Sequence, residues 1–283
     1  MKLTKLIFAL IAFLFSSVLE VIAQNKIELN TVLMNSTFKI QDSKGFLGTV
    51  FILGQPKPKK KNPLWASYVL VTANHVLNDM KGDSTTLFLR KQDSIGEFEK
   101  FSYKIRIRKN GTPLWVKHDS ADVAAMYVTL PSSVKINLLS TTMLVTDETY
   151  KKIEIHPGDE FMCLGYPLGQ ESNEYGFPIL RKGILSSYPL VPMKTTKQFL
   201  LDVQIFKGNS GGPVYFVQSG RTYGTGMHLE TWQFIAGLVS EERLNITKTN
   251  TAYKVSVEAQ QLGLAVIVPA IFISETIDKL IEK

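Results

Sequence analysis

Short apolar runs rich in β-branched and aromatic residues, each closed by turn chemistry, fill most of this 283-residue chain and leave it few possible folds. Such runs lie at 46–53, 68–72, 86–90, 101–109, 123–130, 160–164, 179–187, 199–205 and 232–240. Gly, Pro, Asn and Asp separate them, as in Asn110-Gly111-Thr112-Pro113 and Pro157-Gly158-Asp159. Runs of this length between such residues read as strands, and many of them in series predict an all-β sandwich or barrel. A polar stretch at 131–152 marks a seam between two β units. Helical spacing occurs only at the end, where Ile271, Ile273, Ile277, Leu280 and Ile281 share one face and predict a C-terminal helix.

Residues 1–23 stand apart from this pattern. Lys2 and Lys5 precede an apolar run at 6–19, and Val21-Ile22-Ala23 suits cleavage before Gln24, so the segment predicts an export signal and a periplasmic or secreted product. The run falls short of the roughly 20 residues a membrane span needs, so no stable membrane insertion is expected once the signal is removed. Without it the formal charge drops from +7 to +6. No interleaved basic and aromatic motif points to nucleic acid, and the cluster Lys57-Pro58-Lys59-Lys60-Lys61 reads as a solvated loop. Cys163 is the single cysteine, so no internal disulfide can form, and its apolar setting reads as core. His75, His118, His156 and His228 show no metal-type spacing, and no metal or cofactor is expected.

Three segments carry chemistry. Gly208-Asn209-Ser210-Gly211-Gly212-Pro213-Val214 sets a serine among glycines, where the backbone can turn tightly and a substrate carbonyl can approach closely. His75 follows the apolar run 68–71. Asp122 stands at the entry to the run 123–128, a costly place for an unpaired charge unless a histidine meets it; Asp119 is the competing carboxylate nearer the turn. A serine hydroxyl is a weak nucleophile until an imidazole takes its proton and a carboxylate orients that imidazole, so the set reads as a hydrolase with Ser210, His75 and Asp122 in those roles. The amides of Gly208 and Ser210 are placed to receive an oxyanion. An α/β-hydrolase esterase shares the glycine-flanked serine, but it needs the order Ser, Asp, His, and only His228 follows Ser210. A catalytically silent binding module is the other alternative.

Thr72-Ala73-Asn74-His75, Asp122-Val123-Ala124 and Gly208-Asn209-Ser210-Gly211-Gly212-Pro213, with gaps of 47 and 88 residues, resemble the chymotrypsin-like serine peptidases. Gly165-Tyr166-Pro167-Leu168-Gly169, Lys182-Gly183-Ile184-Leu185-Ser186 and the segment 263–269 narrow the resemblance to the disulfide-free bacterial HtrA-like branch, here without a PDZ domain. The resemblance implies two antiparallel six-stranded β-barrels, at about 30–135 and 150–268, then a helix at about 269–282. It also implies an active site in the cleft between the barrels and hydrolysis of protein or peptide substrates through an acyl-enzyme. The primary substrate pocket would be built from Gln204, Ile205, Val239, Ser240 and Ala265, beside Glu241 and Glu242. Two departures bear on activation. Asn209 stands where zymogen-activated members carry aspartate, and no Ile-Val-Gly-Gly-like segment follows the leader.

Overall fold

A computed structural model describes residues 28–56, 66–134, 136, 137, 139–250 and 255–280; the leader at 1–23 and the lysine cluster at 57–61 lie outside them. The first element is a helix, α1 (Leu29–Ser36), which the strand-like reading of the sequence did not anticipate. It forms because Leu29, Val32 and Leu33 bury one face, while the Glu28 carboxylate accepts from the otherwise orphaned amides of Asn30 and Thr31.

The first β unit comprises β1 (Thr37–Gln41), β2 (Leu47–Pro56), β3 (Ala66–Thr72), β4 (Ser84–Gln92) and β5 (Phe98–Arg106), a small hairpin β6 (Arg108–Lys109) and β7 (Thr112–Pro113), then β8 (Val116–Lys117), β9 (Ala124–Tyr127) and β10 (Leu139–Ser140). Its sheet runs β5-β4-β1-β2-β3-β9-β8, with β10 joined to β2. Every pairing along this path is antiparallel, as expected, and two details depart from a fully closed six-stranded barrel. The β10 pairing is parallel, and the terminal strands β5 and β8 do not pair with each other. After β5 the chain leaves the sheet for the β6–β7 hairpin, and β8 is too short to build a closing ladder. Register places Leu87 and Leu89 of β4 on the same buried face as Phe38, Ile40, Val50, Ile52 and Leu70, with Phe51, Leu53, Val69 and Val71 buried on the other.

A short helix, α2 (Asn74–Asp79), follows β3, and α3 (Asp147–Lys152) crosses the seam into the second unit. That unit holds β11 (Glu160–Gly165), β12 (Ile179–Leu185), α4 (Met193–Thr196), β13 (Phe199–Asp202), β14 (Pro213–Tyr223), β15 (Gly226–Asn250) and β16 (Val255–Pro269). It closes in the order β11-β12-β13-β16-β15-β14, the six-stranded barrel that the family resemblance implied. Aromatic rings fill it: Phe216 stacks on Phe234 with centroids 5.0 Å apart and meets Phe161 at 5.3 Å. Cys163 is buried in the same wall, and the low polarity there pushes its thiol up to about 12. A charge pair enters this core, Arg221 on Asp159, through two parallel bonds of 2.7 Å, with the carbonyls of Ile153 and Glu154 and the Gln218 side-chain oxygen taking the remaining guanidinium protons.

The predicted C-terminal helix is α5 (Ala270–Asp278). Phe272, Ile273 and Ile277 are buried, and Phe272 meets the His118 ring edge-on. Glu275 accepts from His118 Nε2 at 3.0 Å and pairs with Lys194. The helix therefore braces the loop that leads to Asp122. No described helix is long and apolar enough to cross a membrane.

Candidate active site

His75 sits in the first turn of α2, immediately beyond the central strand β3. This short helix has no side-chain N-cap, and its far end is held instead by Arg108. The Arg108 guanidinium donates to the carbonyls of Leu77, Asn78, Met80 and Gly82 and lies over the Trp115 ring. Trp115 in turn donates to Asn74 Oδ1 at 3.2 Å. The seat of His75 thus depends on residues 33 and 40 positions downstream, for which no local sequence signal exists.

β3 pairs with β9 so that Thr72 faces Ala124, which brings Asp122, two residues before β9, to the histidine. Asp122 Oδ2 lies 2.7 Å from His75 Nδ1, and Asp122 Oδ1 accepts from the His75 backbone amide at 3.0 Å. Ser240 Oγ donates to Asp122 Oδ2 at 2.6 Å. Asp119 instead pairs with Lys279 at the surface. Burial acts to raise the Asp122 pKa, and the hydrogen bond and charge of His75, with the Ser240 hydroxyl, outweigh it and hold the carboxyl below its ordinary range. Burial acts to lower the His75 pKa, and the bond and charge of Asp122, aided by Asp79 and Glu241, outweigh it and raise it. With Nδ1–H committed to the carboxylate, Nε2 is the nitrogen left to exchange a proton.

Ser210 reaches the same cleft on a loop whose shape is fixed by its carbonyls. Lys207 O accepts from the Leu168 amide at 2.7 Å, and Asn209 O accepts from the Gly212 amide at 3.0 Å. In a trans peptide the N–H points away from the C=O, so the amides of Gly208 and Ser210 are turned the opposite way. Neither has a protein acceptor among the described residues. Gly208 has φ +97°, and a Cβ there would fall on Tyr166 O; at Gly211, φ +86°, it would fall on Thr72 Oγ1 and Thr49 O. Thr49 joins the two β units here. Its amide donates to Ser210 O at 2.9 Å, and its hydroxyl donates to Gly208 O at 2.6 Å while accepting from Tyr166 N at 3.3 Å. A lone threonine in an apolar strand gives no hint of this role in the sequence. No hydrogen bond joins Ser210 Oγ to His75 in this structure.

His75, Asp122, Ser210, Ile205 and Ser240 line one cleft of about 910 Å³. Gln204, Val239 and Ala265 do not. The Gln204 side chain is turned to Gln261 Oε1 at 3.2 Å, its carbonyl takes the Arg181 guanidinium, and Val239 is fully buried. Strand parity separates Ala265 from its neighbours: Val266 and Val268 face the cleft, while Ala265 and Ile267 are buried on the other face of β16. Lys197, Lys207 and Glu241 supply charge at the rim. Asn209, beneath the loop, is buried, and its amide Nδ2 finds no partner. Among the described residues no group of His, Cys, Asp and Glu is arranged to hold a metal ion.

Comparison with known proteins bears on this arrangement. The family described as a trypsin-like peptidase domain matches residues 48–224. No curated protein matches the chain significantly. Among solved structures, a thermostable serine protease, AL20, from an extremophilic microorganism is 12% identical and aligns over 87% of this chain and 96% of its own, with a TM-score of 0.45.

Proposed function

Because the chain belongs to the trypsin-like peptidase domain family, we propose that it is a serine endopeptidase working through Ser210, His75 and Asp122. The observation that carries the reading is the double hold of Asp122 on the ring and the backbone of His75, in a cleft that Ser210 shares. Ser210 Oγ attacks the scissile carbonyl as His75 Nε2 takes its proton. The resulting oxyanion faces the amides of Gly208 and Ser210. His75 then protonates the leaving amine, and water releases the acyl group by the same steps in reverse order. Asp122 stays ionised and stabilises the imidazolium.

Ile205, Val266 and Val268 form an apolar wall for the side chain preceding the cut. Such a wall discriminates modestly, by roughly 1 to 3 kcal/mol per methylene. The leader-like segment at 1–23 supports export, so the substrates are proteins met in the periplasm or outside the cell. Casein and a short acyl ester, assayed side by side with wild type and Ser210→Ala, test the reading. Wild type should cleave casein and the variant should not. Ester hydrolysis without any cleavage of casein or library peptides would move the assignment to an esterase.

A further inference from the structure

Arg90 is a buried cation that the proposed reaction does not use. It projects from β4, is 5% exposed, and has no carboxylate partner among the described residues. Its guanidinium lies between the rings of Phe38 and Phe177, 4.5 and 4.3 Å from their centroids. Nη2 donates to the carbonyls of Met34, Asn35 and Thr37 in the first unit. Nη1 donates to Gly176 O at 2.6 Å and Tyr166 Oη at 3.1 Å in the second. A buried cation is costly, and a fork of carbonyls and two aromatic faces offsets that cost only while all of them stay in place. This geometry ties the segment 166–177 to the first unit.

The same segment holds the serine loop. Tyr166 is fully buried, and burial pushes its phenol up to about 12, so the hydroxyl stays protonated and shares its one proton between Gly176 O and Thr37 O while accepting from Arg90. From its backbone, Tyr166 N reaches Thr49 Oγ1, which fixes Gly208 O, and two residues on, Leu168 N fixes Lys207 O. The Lys207 carbonyl shares its peptide plane with the Gly208 N–H and so sets which way that amide faces, while the bond to Gly208 O holds the next peptide of the turn. Asn209, directly below, offers no substitute, since its buried amide is unpaired.

We propose that Arg90 is a positioning residue that acts through Tyr166 to keep the Gly208 amide turned into the cleft, so that the oxyanion site is formed before substrate arrives. The proposal rests on the peptidase reading and adds to it a residue remote from the reacting atoms. Removing one oxyanion donor costs enzymes of this kind roughly 100- to 1,000-fold in kcat. A weakened clamp leaves the donor in place for part of the time and should cost roughly 10- to 100-fold.

The test uses the full chain as wild type, Arg90→Lys, Arg90→Met and Tyr166→Phe, with a peptide substrate, a matching peptide boronate as transition-state analogue, and thermal melting. Tyr166→Phe keeps the ring and deletes only the hydroxyl, which guards against outright unfolding of the arginine variants. The expected result is a fall in kcat with KM nearly unchanged and boronate affinity lost in step. The pH midpoint set by His75 should not move. Wild-type kcat and boronate affinity in folded Tyr166→Phe and Arg90→Lys would overturn the clamp while leaving the peptidase reading intact, as would a loss carried by KM alone. An inactive wild type would overturn both.

Discussion

Asp122 and His75 form a pair whose two pKa values move apart, and the consequences for pH can be worked out by sign. His75 must be neutral to accept a proton, and its pKa is raised above 6.5, so kcat/KM should rise with a midpoint more alkaline than 6.5. Asp122→Asn removes the group that raises it. A pH-rate profile of the variant should show a lower midpoint and a loss of about 10⁴ in kcat. Stability follows the same pair. The raised His75 pKa contributes stability that is complete below 6.5 and is lost as pH climbs through the folded value. The lowered Asp122 pKa contributes stability present above 3.8 and lost as pH falls through the folded value. The melting temperature of wild type should therefore exceed that of Asp122→Asn most between these limits and less on either side. At this scale the sequence was informative where chemistry is local: a glycine-flanked serine, a histidine after a strand and an aspartate before one all fall on the cleft. It was silent where a role depends on distant partners. Thr49, Arg108 and Arg90 act through bonds to residues far along the chain, and nothing in their neighbours' side chains announces them.

Among the elements, α5 offers the clearest dependence of one part of the fold on another. Glu275 is the acceptor for the nearly buried His118 Nε2, while His118 Nδ1 accepts from the amides of Ser120 and Ala121 and so shapes the turn before Asp122. Glu275→Ala leaves the His118 donor without its partner and should cost about 1 to 3 kcal/mol in urea unfolding. Lys279→Ala removes only an exposed pair with Asp119 and should leave the urea midpoint where it is. An unchanged midpoint in Glu275→Ala would show that the helix is held by Phe272, Ile273 and Ile277 alone. The helix was legible because its apolar spacing persists to the end of the chain. α1 was not, since a helix of this length needs the Glu28 cap and a surface to pack on, and both are tertiary facts. Strand parity explains the pocket: the family resemblance implied Ala265, and alternation along β16 instead turns Val266 and Val268 to the cleft.

The whole molecule is an open sheet and a closed barrel joined across Thr49, the Arg90 cage and Glu171, which pairs with Lys39 and Lys100 of the first sheet. An all-β pattern with a seam was readable from run lengths and turns. Closure was not, because it depends on whether the two edge strands are long enough and close enough to pair. With no disulfide, the fold relies on its two cores, and Cys163 is a packing residue in one of them. Its high pKa and burial predict that a thiol reagent such as dithionitrobenzoate leaves the native protein unlabelled and labels it once unfolded, and that added reductant does not shift the melting temperature. The central claim is that this architecture activates Ser210. It is tested most directly by treating folded wild type and Ser210→Ala with a fluorophosphonate and mapping the adduct by mass spectrometry. A single adduct, on Ser210, is expected in wild type and none in the variant; folded wild type that stays unlabelled, or a variant that labels equally, would contradict serine activation.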